Sequence, residues 1–269
     1  MPVYWFALSQ VPVINWKSAI LIFIILHFLI YPASNGYNSF MDRDTSPIGG
    51  VRSPMEPTRQ LFLATIILNL LAVALSLFIS PLFASGIILY IFASLAYSYR
   101  KIRLKKLPVI GYLTVIIFQG AVTFFLVYHG SSSNHSVDVP VFAMIAASLL
   151  IGGFYPLTQI YQHEEDRQDS VITISYLLGY KGTFIFTGIV YAFAFITLGW
   201  FYYLSSQLVD FVILQMVLLP VILYFFFWFQ KVRKDRLEAN FKNTMRMNIL
   251  ASICTNCGFI MILILKLIE

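Results

Sequence analysis

Charge is what this sequence has least of. Of its 269 residues only 11% are Asp, Glu, Lys or Arg, where soluble domains run near a quarter. With 59% hydrophobic residues, no single core can absorb the apolar surface, because surface-to-volume scaling leaves much of it facing solvent. A water-soluble globule is therefore excluded, and lipid is the solvent that fits. Cysteine is scarcer still. Cys254 and Cys257 both lie in an apolar stretch, which excludes a disulfide framework and leaves the redox compartment unread. Further ligands beside them are missing, so a metal or redox centre is disfavoured against small-residue packing at a helix interface. The stretch from Met1 to Trp16 has no basic leader and no small-residue cleavage site, and it does not read as a signal peptide.

What the chain has instead is hydrophobic length. A bilayer core of about 30 Å needs roughly 20 apolar residues in a helix. Eight segments qualify: Lys17–Ser34, Gln60–Ile79, Pro81–Tyr99, Val109–His129, Val139–Tyr161, Thr183–Leu204, Leu208–Gln230 and Met247–Ile268. Pro2–Asn15 is apolar but too short to span, and reads as a half-helix or an interfacial segment. Backbone groups in lipid must be satisfied within their own segment, so the expected fold is all-α. Residues 1–269 are expected to form one integral membrane domain, about eight transmembrane helices and the half-helix around a central cavity.

The connections fall into two classes. Residues 35–59, 100–108, 162–182 and 231–246 are long and charged, whereas the alternate ones are short. The long set holds 16 of the 18 Lys and Arg residues, all but Lys17 and Lys266. By the positive-inside rule that face is cytoplasmic. The net charge of +6 is thus a topological signal and gives no reason to expect nucleic acid. Nine of the twelve acidic residues share that face, so the polar chemistry is gathered at one end of the bundle.

Three motifs stand there. In Asn35-Gly-Tyr-Asn38-Ser-Phe-Met-Asp42-Arg-Asp44-Thr-Ser46, Asn38 and Asp42 are four apart and share a helix face. Asp44 joins them if the helix ends there. Carboxylate and amide oxygens are the hard ligands Mg²⁺ prefers, and it often completes its shell with substrate phosphate. In Gln159-Ile-Tyr-Gln162-His-Glu164-Glu-Asp166-Arg-Gln-Asp169, Gln159, Gln162 and Asp166 fall at i, i+3 and i+7, one stripe of one helix face. Asp166 is a Mg²⁺ candidate, and Gln162 offers an amide to metal or phosphate. The third is Tyr97-Ser-Tyr99-Arg100-Lys-Ile-Arg103-Leu-Lys105-Lys106, whose cations suit the charge a bridged diphosphate leaves over. Taken singly, acids at helix ends are ordinary solvated caps, and a basic loop beside a membrane is ordinary topology. Their coincidence on one membrane face is what points to a site.

At these residues the chain resembles the UbiA superfamily of intramembrane prenyltransferases, over nearly its whole length. The family's first Asp-rich motif falls on Asn38, Asp42 and Ser46. Its second falls on Gln162, Asp166 and Ser170, with a tail at Thr173-Ile174 and Leu178-Gly179. Ser46 and Gln162 stand where the family has Asp, as does Gln159 where an Asp is frequent, and Pro2–Asn15 is short of a complete first helix. The resemblance implies a Mg²⁺-dependent transfer of an isoprenyl group from an allylic isoprenyl diphosphate to a lipophilic, typically aromatic, acceptor. It implies Asn38, Asp42, Asp44 and Asp166 as metal ligands, Asp42 and Asp166 being essential to catalysis. Arg103 and Lys105, with Gln159, Gln162, Arg52 and Lys181, would bind the diphosphate, and Asn35 and Tyr97 would line the cavity, whose apolar part opens to membrane lipid. Two alternatives share the fold: a terpene cyclase, and a non-catalytic member serving as lipid binder or assembly partner. A transporter fits less well, since the polar residues collect at one end of the helices and do not cross the midplane.

Overall fold

The computed structural model describes residues 2–43, 47 and 50–268. Its order is a short helix α1 (Pro2–Gln10), then α2 (Trp16–Asp42), α3 (Arg59–Ser76), α4 (Pro81–Ser98), α5 (Pro108–Ser131) and α6 (Val141–Gln159). A six-residue helix α7 (His163–Gln168) follows, then α8 (Ile174–Leu204), α9 (Leu208–Lys234) and α10 (Phe241–Ile268). Eight of these, all but α1 and α7, are long and apolar enough to cross a membrane. Their outward faces carry large apolar side chains such as Ile67, Phe92, Ile196 and Leu223, as lipid requires.

Local chemistry sets the helix starts. Asn15, Thr58, Ser80 and Thr173 each accept a hydrogen bond from a backbone N–H in the first turn of the helix that follows. Pro81 and Pro108 occupy the first position of α4 and α5, where a missing N–H costs nothing. Several helices outrun their apolar segments. Here α8 begins at Ile174 and α10 at Phe241, nine and six residues before the hydrophobic runs, because hydropathy marks the lipid and not the end of backbone pairing. Inside α8, Gly179 breaks the helix with φ 66° and ψ 176°, a conformation open essentially to glycine alone.

Two helices contain a π-helical turn, Ile25–Ile30 in α2 and Ile117–Val122 in α5. In the second, Ser148 Oγ of α6 accepts from the Ala121 N–H at 3.0 Å. The side chain thus satisfies a donor that the wider turn releases. A Cβ on Gly120 would stand 2.4 Å from Ser148 Cα, so only glycine permits that approach.

The N-terminal segment proves to be a half-helix, and a buried one. Phe6 of α1 stacks on Phe259 of α10 at 4.6 Å between centroids and meets Phe124 of α5 edge-on at 5.0 Å. Lys266 donates from Nζ to the carbonyls of Ser9 and Val11, satisfying acceptors that the end of α1 leaves open. The two cations standing apart from the basic face, Lys17 and Lys266, belong to this opposite end.

Candidate functional site

The end of α2 is the first wall of the site. Helical geometry runs through Asp42, after which Arg43 turns left-handed at φ 55°. Arg100 donates to the carbonyls of Met41 at 2.7 Å and Asp42 at 3.3 Å, a cation at a helix C-terminus. Asn38 and Asp42 therefore share a face, as their spacing of four predicts, and both line a cavity of ≈ 520 Å³. Asn38 accepts from Ser98 Oγ at 2.7 Å, which fixes its amide against α4. Asn35 and Tyr97 line the same cavity.

The second wall differs from the expected single stripe. After Gln159 the chain turns at residues 160–162 and begins a new helix at His163. Glu164, Glu165 and Asp166 occupy the first turn of α7, where carboxylates favour the positive end of a helix. Gln159, Gln162 and Asp166 nonetheless all face the cavity, brought there by the turn and not by one continuous helix. Asp166 accepts from Thr173 Oγ1 at 2.9 Å, and that same oxygen caps α8. The Gln159 amide donates to Tyr155 Oη at 2.9 Å, while its buried carbonyl oxygen has no partner among the described residues. Tyr155 in turn shares a short hydrogen bond with Tyr97.

The turn between α4 and α5 supplies the cations. Lys105 lines the cavity and lies 2.5 Å from Asp42 Oδ2. Arg103, left-handed at φ 48°, stands behind the wall. Its Nη2 is paired with Asp42 Oδ1 at 3.4 Å and with Asp169. Burial alone would lower the pKa of Arg103; the bond and charge of Asp169, joined by Asp42, outweigh it and raise the pKa. Burial likewise opposes ionisation of Asp169, but the Arg103 hydrogen bond and charge, with Lys105 and Arg100 adding, hold it below its ordinary value. Arg52 and Lys181 are exposed and stand away from the cavity wall. Asp44 and Ser46 lie outside the described residues.

Glu165 and Asp169 also line the cavity, although the spacing reading singles out neither. Among the described residues no three His, Cys, Asp or Glu side chains stand close enough to hold a metal by themselves. Oxygen donors on both walls, Asn38, Asp42, Glu165, Asp166 and Asp169, suit a hard cation held partly by substrate phosphate.

Beyond the polar chamber lies a second cavity of ≈ 530 Å³, between α6, α8, α9, α10 and the start of α1. Ile151, Phe154 and Asn248 line both, so the two are neighbours that share a wall. The second is walled by Tyr191, Phe195, Phe225 and Phe259 among others. A polar, cation-bearing chamber beside an aromatic cavity is the arrangement at hand.

The family model for UbiA prenyltransferases matches residues 1–250. The chain belongs to the UbiA prenyltransferase family. It is accordingly a multi-pass integral membrane protein, with the expected all-helical architecture. Solved structures agree in fold. An apo UbiA homologue from Aeropyrum pernix K1 superposes with a TM-score of 0.69 at 20% identity, over 97% of this chain and 95% of that one. A UbiA homologue from Archaeoglobus fulgidus, bound to DMAPP and Mg²⁺, gives 0.68 at 19% identity, over 97% and 93%. A digeranylgeranylglyceryl phosphate synthase gives 0.62 at 17% identity, over 98% and 90%. No curated protein matches in sequence.

Proposed function

We propose that this UbiA-family protein transfers an isoprenyl group, in a Mg²⁺-dependent reaction, from an allylic isoprenyl diphosphate to a lipophilic, aromatic acceptor. One observation carries the reading: Asn38 and Asp42 from α2, Asp166 from α7 and Lys105 from the α4–α5 turn line one chamber that adjoins an apolar cavity. The binding of DMAPP and GPP with Mg²⁺ by the Archaeoglobus fulgidus homologue supports that donor class. The gathering of basic residues at the mouth supports a cytoplasmic orientation for that end, by the positive-inside rule.

Asn38, Asp42 and Asp166, with Asp44 beside them in sequence, would hold Mg²⁺. When bound, the ion neutralises diphosphate charge and makes it a better leaving group. Lys105 takes a diphosphate oxygen, and the amides of Gln162 and Gln159 are placed to hydrogen-bond others. Heterolysis of the C1–O bond sends the electron pair to diphosphate and leaves an allylic cation. Faces of Tyr90, Phe118 and Phe154 on the cavity wall suit such a cation. Asn35 and Tyr97 complete the polar lining above it. The acceptor carbon attacks C1 and then loses a proton to restore its ring.

The test is turnover of radiolabelled dimethylallyl, geranyl, farnesyl and geranylgeranyl diphosphates by purified protein in detergent, with Mg²⁺ and with and without aromatic acceptors. Asp42→Asn and Asp166→Asn run alongside. Diphosphate release that needs Mg²⁺ and both carboxylates establishes the activity, and a cyclic product without acceptor reassigns it to cyclisation. Absence of both release and Mg²⁺-dependent donor binding sinks the reading in favour of a non-catalytic member.

A further inference from the structure

Arg103 carries a charge that it does not present to the cavity. It is 3% exposed and absent from the cavity wall, where Lys105 is the one cation among the described lining residues. A guanidinium stays charged at any ordinary pH, and a buried charge is tolerated only with partners. Arg103 has two, both through Nη2: Asp42 at the end of α2 and Asp169 in the turn after α7. Asp169 is aimed by a tight turn, its N–H on the Glu165 carbonyl at 2.9 Å and Ser170 left-handed at φ 54°. One guanidinium thus joins three chain segments that are remote in sequence.

We propose that Arg103 and Asp169 are a positioning pair, not diphosphate ligands: Arg103 draws the two acidic segments together before metal binds, and Asp169 gives Arg103 the carboxylate partner on the α7 side that Gln162 and Ser170 do not. The proposal rests on the prenyltransferase reading of the chamber. The pair acts through Asp42 and the α7 turn. Without it, closing the two walls falls to the metal itself. A site that is assembled only part of the time shows its affinity reduced by that fraction, and excess metal makes the deficit good.

The experiment is equilibrium binding of geranyl diphosphate to purified protein across a Mg²⁺ titration, for wild type, Arg103→Met, Asp169→Asn and the double variant. Arg103→Met raises the Mg²⁺ midpoint about tenfold and Asp169→Asn moves it the same way. The double variant is no worse than Arg103→Met, since contacting residues do not act additively. At saturating Mg²⁺ all three regain wild-type affinity for geranyl diphosphate to within about twofold. Affinity that stays weak at saturating Mg²⁺ shows Arg103 on the diphosphate, and additive or absent effects dissolve the pair; each overturns the proposal. If wild type itself binds no geranyl diphosphate, the prenyltransferase reading fails instead. Melting of the four proteins in metal-free detergent then decides the pair alone. Asp169→Asn, at a side chain 41% exposed, is the variant expected to fold in any case.

Discussion

Lys105 Nζ lies 2.5 Å from Asp42 Oδ2, so a cation already stands on the carboxylate that the proposed reaction would give to a metal. The two are competitors for one oxygen. On the proposed function, loading the site would have Lys105 move from Asp42 to the incoming diphosphate, an exchange of one charge-assisted contact for another.

That exchange predicts opposite effects of one substitution. Lys105→Met frees Asp42 and tightens Mg²⁺ binding in the absence of donor, while geranyl diphosphate binding at saturating Mg²⁺ weakens about 10- to 100-fold, the size of a lost hydrogen bond to a charged group. Calorimetric titration of each ligand separately reads both. A variant that binds diphosphate like wild type would remove Lys105 from the site.

Thr173 ties a structural cap to a side chain of the proposed site. Its Oγ1 accepts from Tyr176 N–H at 3.3 Å and donates to Asp166 Oδ2 at 2.9 Å. Thr173→Val loses both; the cap alone is worth about 1 kcal/mol, and Asp166 loses the donor that orients it. Thr173→Ser keeps both. The expected outcome is a lower melting temperature and a higher Mg²⁺ midpoint for Val, with Ser near wild type. Equal midpoints for the two would mean that Asp166 needs no such support.

The same residues show how far sequence reaches here. Asn38 and Asp42 were legible because their spacing of four is helical and α2 stays helical through them. Gln159, Gln162 and Asp166 reach one cavity by a different route from that their spacing suggests, a turn followed by a new helix. Asp169, at i+10, falls on the continuation of that stripe, but the helix that would carry it is broken, and its place in the chamber comes from the turn at the left-handed Ser170 and from Arg103, 66 residues away. Arg103 and Lys105 differ by two positions and read alike as cations, yet one is behind the wall and the other on it. Which side chain of a turn points inward is a tertiary outcome with no periodicity to announce it. The exposure of Arg52 and Lys181 is the same lesson in reverse. Lipid-facing length, by contrast, is written plainly in hydropathy, and all eight spans were legible.

His163 begins α7 and is buried, with Nε2 2.8 Å from Ser175 Oγ and the ring stacked on Tyr180. Burial lowers its pKa from 6.5 to about 4. Between those values the unfolded chain takes up a proton that the folded one refuses, so stability falls as pH drops from 6.5 toward 4, by at most ~1.4 kcal/mol per pH unit. Melting temperatures of wild type and His163→Asn in detergent from pH 7 to 4.5 measure this. The wild-type decline should be the steeper; parallel curves would assign the loss to other groups.

Two glycines separate strain from space. At Gly120 an added Cβ meets the Ser148 backbone at 2.4 Å, whereas at Gly179 it meets nothing within 4 Å. Were steric room the only criterion, Gly179→Ala would be harmless. The backbone there sits at φ 66°, ψ 176°, which costs a residue with Cβ on the order of 1–3 kcal/mol. The strain falls where the chain passes from the α7 turn into α8, five residues after Ile174 opens that helix. Gly179→Ala should therefore lower the melting temperature and, by tilting the Thr173 end of α8, shift the Mg²⁺ midpoint for donor binding. A stable variant with an unchanged midpoint would show that α8 can continue straight through the break, and that the bend at Gly179 plays no part in aiming Asp166.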